Sequence, residues 1–195
     1  MDFTDIVRRY GPLSPQCVDA LERRAVMRCY PAGGVMLRQG VVCDVFFCLS
    51  DGLARVCHHN GHQEATQLFC CPGDIYTPVH CWHSGVSSPF SLVAIEPTEM
   101  YTVSYEVMRR GMLLFPELKD WLLALSAGQL YALERRYLKF ANMNAADRLR
   151  AFMTNDDPPL GQMSAREIAQ RIPLKHIASY LGIRPEHLSR LRRQR

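Results

Sequence analysis

From Val56 through Met108 the chain has no lysine and no arginine, and after Cys81 it has no cysteine. No run approaches the ~18 apolar residues of a membrane-spanning helix. The N-terminus, MDFTDIVRRYG, carries acids where a secretion signal would be basic, and no apolar stretch follows it. No membrane partner is therefore expected, and the expected location is cytoplasmic. There the eight cysteines read as reduced thiols and not as a disulfide framework. The cysteines show no C-x-x-C spacing. An H-x-H pair followed closely by Glu is missing too, since two residues separate His80 from His83 and the next acid is Glu96. A metal-dependent enzyme built inside a β-barrel is disfavoured on that count, and no catalytic residues are assigned.

The missing charge of one half reappears in the other. Residues 1–105 carry 7 Lys/Arg against 10 Asp/Glu, a balance of −3, and residues 106–195 carry 16 against 9, a balance of +7. Five arginines fall in the last dozen residues, within LKHIASYLGIRPEHLSRLRRQR, where leucine and isoleucine keep a helical spacing. A helix starting at Pro185, a favourable first-turn residue, places Glu186, Ser189, Arg190 and Arg193 on one face at about 100° per residue. Leu188 and Leu191 lie opposite. Upstream, Leu174, Ile177, Ala178 and Leu181 follow the i, i+3, i+4, i+7 pattern, and Gly182 can take the left-handed conformation that ends a helix. Two helices joined by a short glycine turn make a helix-turn-helix.

Ser164 and Glu167 form an S-x-x-E capping box, with Met163 and Ile168 as its flanking staple, so a third helix is expected over about 165–171. The expected core is Ile168, Ile172, Leu174, Ile177, Leu181, Leu188 and Leu191. The outward set has the chemistry of base reading: Arg bonds guanine O6 and N7 bidentately, Glu accepts from cytosine N4, and Ser reaches base or phosphate.

Residues 31–105 follow a different rhythm. PAGGVMLRQG, DVFFCLSDGLARVCHH, NGHQEATQLFCCPGDIY and SPFSLVAIEPTEMYTVS are short apolar or alternating runs cut by Gly, Asn-Gly and Pro, an all-β pattern. Asn60-Gly61 is expected to join strands near Leu53–His58 and Gln63–Cys70 through a type I′ turn. Strands at this spacing suggest a small barrel or jelly roll.

These stretches together resemble one family. Glu186, Ser189 and Arg190 in GIRPEHLSR are similar to the E-x-x-S-R of the recognition helix in Crp/Fnr transcription regulators, specifically the fumarate-nitrate-regulator-like branch. Pro31, Gly33 or Gly34, Leu37 and Gly40 are similar to the opening of that family's cyclic-nucleotide-binding-type β-roll, and Gly52, Gly61, Gly73 and Asp74 fall where the roll turns between strands. Arg184 stands where the family often has a capping Ser or Thr, which costs helix stability and adds a phosphate-binding cation. The resemblance implies an α+β protein. It has an N-terminal double-stranded β-helix (jelly-roll, cyclic-nucleotide-binding-like) domain over 1–115, a long dimerisation helix over 116–141 and a helix-turn-helix DNA-binding domain over 142–195. It implies a homodimer on double-stranded DNA, with RNA polymerase and an unidentified small-molecule effector as further partners. The expected DNA-binding residues are Lys175, Arg184, Glu186, Ser189, Arg190 and Arg193. The alternative is a ligand-, metal- or haem-binding β-roll sensor with little direct DNA binding.

PELKDWLLALSAGQLYALERRYLKF follows Pro116 as a long helix with two apolar stripes, one through Leu118, Leu122 and Leu125, the other through Leu123, Leu130, Leu133, Tyr137 and Phe140. A helix serving one surface needs one stripe. The first is expected against the roll and the second, on the family resemblance, against its copy in a second chain. Burial of both within a monomer is the alternative.

In relatives that bind cyclic AMP, a Gly-Glu holds the ribose and an Arg-Ser/Thr pair the phosphate. PGDIYTPVHCWHSGVSSPFSLVAIEP has neither Gly-Glu nor any Arg, so a buried phosphate would lack its cationic partner. The effector-pocket candidates are Gly73, Asp74, Ser87, Ser88 and Ser91, with Arg135 or Arg136 from the long helix as the outside source of charge. Soft ligands crowd the same stretch, with Cys70, Cys71, His80, Cys81 and His83 as candidates for a metal or haem. Packing cysteines and a redox-sensing thiol are the other readings. No cofactor is required by the reading, and no metal site is assigned.

Overall fold

The computed structural model describes residues 1–61, 63–154, 163–164, 167 and 170–193. Two short helices lead the chain. In α1 (Phe3–Arg8) the Asp2 side chain accepts the Asp5 N–H at 2.8 Å, and in α2 (Pro15–Glu22) Ser14 accepts the Cys17 N–H at 3.3 Å ahead of a first-turn proline.

Eight strands follow: β1 (Val26–Tyr30), β2 (Val35–Leu37), β3 (Val45–Asp51), β4 (Ala54–His59), β5 (Glu64–Cys70), β6 (Ile75–Tyr76), β7 (Ser91–Ala94) and β8 (Thr98–Ser104). The short helix α3 (Val79–Ser84) interrupts them between β6 and β7. They form two four-stranded antiparallel sheets, ordered β1-β8-β3-β6 and β2-β7-β4-β5. Phe46 and Met100 of one sheet and Val56 and Leu92 of the other share a single buried cluster. The result is a double-stranded β-helix, the jelly roll expected from the strand rhythm.

The glycines at its corners are there for geometric reasons. Gly52 has φ +85°, and a Cβ on it would lie 2.4 Å from Pro97 O. Residue 61 is the site of one correction. His59 pairs with Glu64, so the β4–β5 connection is a four-residue loop and not the two-residue type I′ turn expected of Asn60-Gly61. The Asn60 N–H donates to Gln63 O at 3.2 Å and the Asn60 side chain accepts the Gln63 N–H at 2.9 Å. This asparagine caps its loop instead of sitting at the centre of the turn. His62 lies in that loop, outside the described residues.

Helices complete the chain: α4 (Tyr105–Leu114), α5 (Glu117–Asn142), α6 (Ala145–Met153), α7 (Leu174–Leu181) and α8 (Pro185–Arg193). The first turns of α5 lie on the roll through buried Leu118, Trp121 and Leu125, and the Trp121 indole donates to Val7 O at 2.6 Å. The second stripe of α5 faces outward, with Leu130 57%, Leu133 61% and Tyr137 71% exposed.

A second buried cluster joins Leu53, Phe69 and Cys71 of the roll to Leu149, Phe152, Met163, Ile172, Ile177, Tyr180, Leu181 and Leu188. Strand alternation explains it: Ala54, Val56 and Cys70 fill the roll interior, so their neighbours Leu53, Phe69 and Cys71 face out. The helix-turn-helix is seated on that outer face. Leu174, expected in the core, is 38% exposed because the first turn of α7 overhangs the cluster, and Tyr180 is buried instead. The Ser164–Glu167 capping box forms, with the Ser164 N–H donating to Glu167 Oε2 at 2.7 Å. Most of the third helix expected over 165–171, including Ile168, lies outside the described residues, as does Arg195.

Candidate nucleic-acid interface

Gly182 ends α7 with φ +65°, and the Ile183 N–H reaches back to Ala178 O at 3.0 Å, the bond that closes a helix around a left-handed residue. Two residues later Pro185 opens α8, whose first turn starts from the Arg184 carbonyl, bonded by the Leu188 N–H at 3.1 Å. Leu188 is fully buried, which fixes the roll of α8 about its axis. Arg184, Glu186, Arg190 and Arg193 are then exposed and Ser189 is half-buried beside them. A shallow groove between turn and helix is lined by Gly182, Ile183, Arg184, Glu186, His187 and Arg190. Lys175 is exposed on the first turn of α7.

Polar contacts fix this unit on the roll. Strand β5 is a sheet edge, and edges leave backbone groups unpaired. Ser179 of α7 fills that role: its hydroxyl accepts the Thr66 N–H at 2.8 Å and donates to Glu64 O at 2.9 Å. Arg136 of α5 donates to Thr66 O at 3.2 Å and to Tyr180 O at 2.9 Å. Arg171 pairs with Glu96 across the same junction. Arg55, buried on β4, pairs with Glu64 at 2.6 Å. His176 lies near both: burial, with Arg55 and Lys175 next, pushes it down to about 4, so it is neutral at pH 7. Sequence reasoning missed Arg136, Ser179 and Tyr180 as parts of this interface. Only Arg136, four residues before Phe140 on one helix face, left a local signal.

Solved structures with this arrangement are found at low sequence identity. FixK2 from Bradyrhizobium japonicum matches with a TM-score of 0.74 at 20% identity, over 87% of this chain and 83% of that one. The c-di-GMP-responsive global regulator CLP of Xanthomonas campestris matches at 0.73 and 16%, over 93% and 91%. The Thermus thermophilus catabolite activator protein matches at 0.58 and 24%, over 97% and 85%. These are Crp/Fnr regulators. The chain has the Crp/Fnr-like fold. No protein-family model matches the chain, and no curated protein matches it in sequence. Among the described residues no helix is long and apolar enough to cross a membrane.

Within the Crp/Fnr-like roll, the expected effector residues make local contacts. Gly73 and Asp74 form the β5–β6 turn beneath α1, where the Asp74 carboxylate accepts the Cys71 N–H at 2.8 Å and Tyr10 donates to Gly73 O at 3.4 Å. Burial pushes Asp74 up to about 7, against the opposing pull of the Cys71 N–H and of Arg9. Ser88 is buried, donates to Phe90 O at 2.8 Å and accepts the Phe90 N–H at 3.1 Å, closing a local turn. Ser91 accepts the Gln39 N–H at 2.9 Å, and Ser87 is exposed. Arg135 lies over the Tyr131 ring of its own helix, and Arg136 is committed to the helix-turn-helix junction.

The Cys/His candidates differ in their surroundings. Cys70 and Cys81 lie in the roll core, Cys71 faces outward to Met163, His80 is half-buried and His83 exposed. Burial pushes the Cys70 thiol well up and Cys71 up to about 12, which suppresses thiolate chemistry there. Among the described residues no group of three or more His, Cys, Asp or Glu is placed to hold a metal ion.

Proposed function

We propose that the protein is a sequence-specific transcription regulator that binds double-stranded DNA as a homodimer and reads a palindromic operator with α8. The observation that carries this reading is the surface of α8. Glu186, Arg190 and Arg193 stand exposed on a helix whose opposite side is anchored by Leu188, with Arg184 exposed just before it, within the more basic half of the chain. Glu186, Ser189 and Arg190 read base edges, and Lys175, Arg184 and Arg193 hold phosphates. The exposed Leu123, Leu130, Leu133 and Tyr137 stripe supports pairing of α5 with its copy, since a two-fold protein matches a two-fold operator.

The functional segments are 1–115, 116–141 and 142–195, as effector roll, dimerisation helix and reading head. The roll is not an ordinary cyclic AMP receptor. Eight free cysteines fit a reducing, cytoplasmic setting. RNA polymerase is the downstream partner of a regulator of this kind. Selection of bound fragments from random DNA tests the reading. Paired, inverted half-sites bound in a salt-dependent way are expected, and recovery of no common sequence would overturn it.

A further inference from the structure

The turn between α7 and α8 rests on an aromatic ring that belongs to the long helix. A Cβ on Gly182 would lie 2.7 Å from Phe140 Cε1, so a larger residue there would strike the ring. Two guanidinium groups enclose that ring, Arg136 and Arg148, each with its central carbon 4.8 Å from the ring centroid. The same two arginines satisfy the last carbonyls of α7: Arg136 donates to Tyr180 O at 2.9 Å, and Arg148 donates to Leu181 O at 3.1 Å. Arg148 also holds Met143 O at 2.8 Å, in the break between α5 and α6. The last carbonyls of a helix point beyond its own hydrogen bonds, and a cation beside them complements the negative helix end. Arg136 is further held over the Tyr180 ring at 4.1 Å, with its Nη1 buried and without a hydrogen-bond partner. Guanidinium planes suit this double duty of stacking and forked donation; an ammonium does not.

We infer that Arg136 and Phe140, with Arg148, are positioning residues that fix the angle between the dimerisation helix and the recognition helix and so set the spacing of half-sites the dimer accepts. The inference rests on the proposed dimeric DNA-binding reading. In a two-fold dimer the distance between recognition helices is set by how each is mounted on the helix nearest the axis. The mount here is a ring on α5 bearing on the α7–α8 turn. The Arg136 contact to Thr66 O ties that mount to strand β5 of the roll, so a change in the roll has a direct route to the mount.

The test uses the full-length protein as wild type, Phe140→Leu, Phe140→Tyr and Arg136→Lys. Each is examined by light scattering, by selection from random DNA, and by binding to the selected operator and to versions with the half-sites one base pair closer or farther. Wild type should select a single spacing. Phe140→Leu and Arg136→Lys should remain dimers and keep the half-site sequence, yet bind the shifted operators nearly as well as the selected one. Loss of the ring or of the stacked, forked guanidinium should lower affinity for the selected operator by about tenfold. Phe140→Tyr keeps the ring and should behave as wild type. A sharp wild-type spacing preference in both Phe140→Leu and Arg136→Lys would overturn the inference, and a monomeric Phe140→Leu would reassign the ring to the dimer seam. If Phe140→Leu does not fold, Arg136→Lys carries the same test. Failure of the wild type to select paired half-sites would instead sink the underlying functional reading.

Discussion

At the scale of single residues, chemistry and placement divide the arginines. Arg190 has the fork for a guanine and stands exposed on α8. Arg190→Ala should cost on the order of 1–3 kcal/mol of operator binding and relax the preference at one position per half-site, as read by binding to single-base operator variants. Arg193→Ala should weaken all sequences alike and lower the salt slope by about one. Asp74 gives a residue-scale pH dependence. Burial raises it to about 7, above the ordinary carboxylate value of 3.8, so the folded state holds the proton more tightly. That contribution to stability is fully present below about pH 4 and is lost as pH rises through 7. Thermal melts should show wild type losing stability relative to Asp74→Asn between those limits, and parallel curves would mean that the carboxyl ionises normally. The glycines at 52 and 73 were legible in the sequence because each answers a local demand for positive φ. The partners of Arg136 were not, since nothing near it in the chain names Thr66 or Tyr180.

At the scale of elements, period was a good guide where a helix is long. The two stripes of α5 are real, one buried on the roll and one exposed. Phe140 departs from its stripe in part: it is 39% exposed because two arginines and the Gly182 turn cover it. A charge on the outward stripe should break the seam, so Leu133→Glu should give monomers by light scattering and lose operator binding while keeping its circular dichroism spectrum. A dimeric Leu133→Glu would place the interface elsewhere. Leu174 shows the limit of period: it is in phase with Ile177, Ala178 and Leu181, but an apolar residue in a first turn is buried only where neighbouring elements extend that far. The hairpin at Asn60-Gly61 shows another. The dipeptide marks the turn, but the pairing of His59 with Glu64 decides its length.

At the scale of the whole molecule, the core of the helix-turn-helix runs on into residues of the roll. Phe69 of the roll meets Tyr180 at 5.1 Å and Phe152 at 6.1 Å between ring centroids, and Phe152 meets Tyr180 at 5.4 Å. Roll and helix-turn-helix should therefore melt in one calorimetric transition. Phe69→Ala, costing about 3–5 kcal/mol as a buried aromatic truncation, should split it in two. Two transitions in the wild type would refute the coupling. The same junction bears on the effector. Arg55 is committed to Glu64 and Arg136 to the reading head, so neither supplies the cation that an anionic nucleotide needs inside the roll. Calorimetry should find cyclic AMP binding at about millimolar or weaker, and micromolar binding would contradict this.

What the sequence by itself determined were features whose cause lies within a few residues: the alternation of the strands, the two stripes of α5, the cap at Ser164, the glycine that ends α7 and the basic face of α8. Tertiary structure alone decided where those parts meet. Ser179 completes the edge of a strand more than 110 residues earlier in the chain, and Arg136 joins that strand to the reading head. Such contacts follow from which faces remain unpaired after each element has formed. Period and composition report that a face is apolar or basic, and only the packed chain determines what covers it.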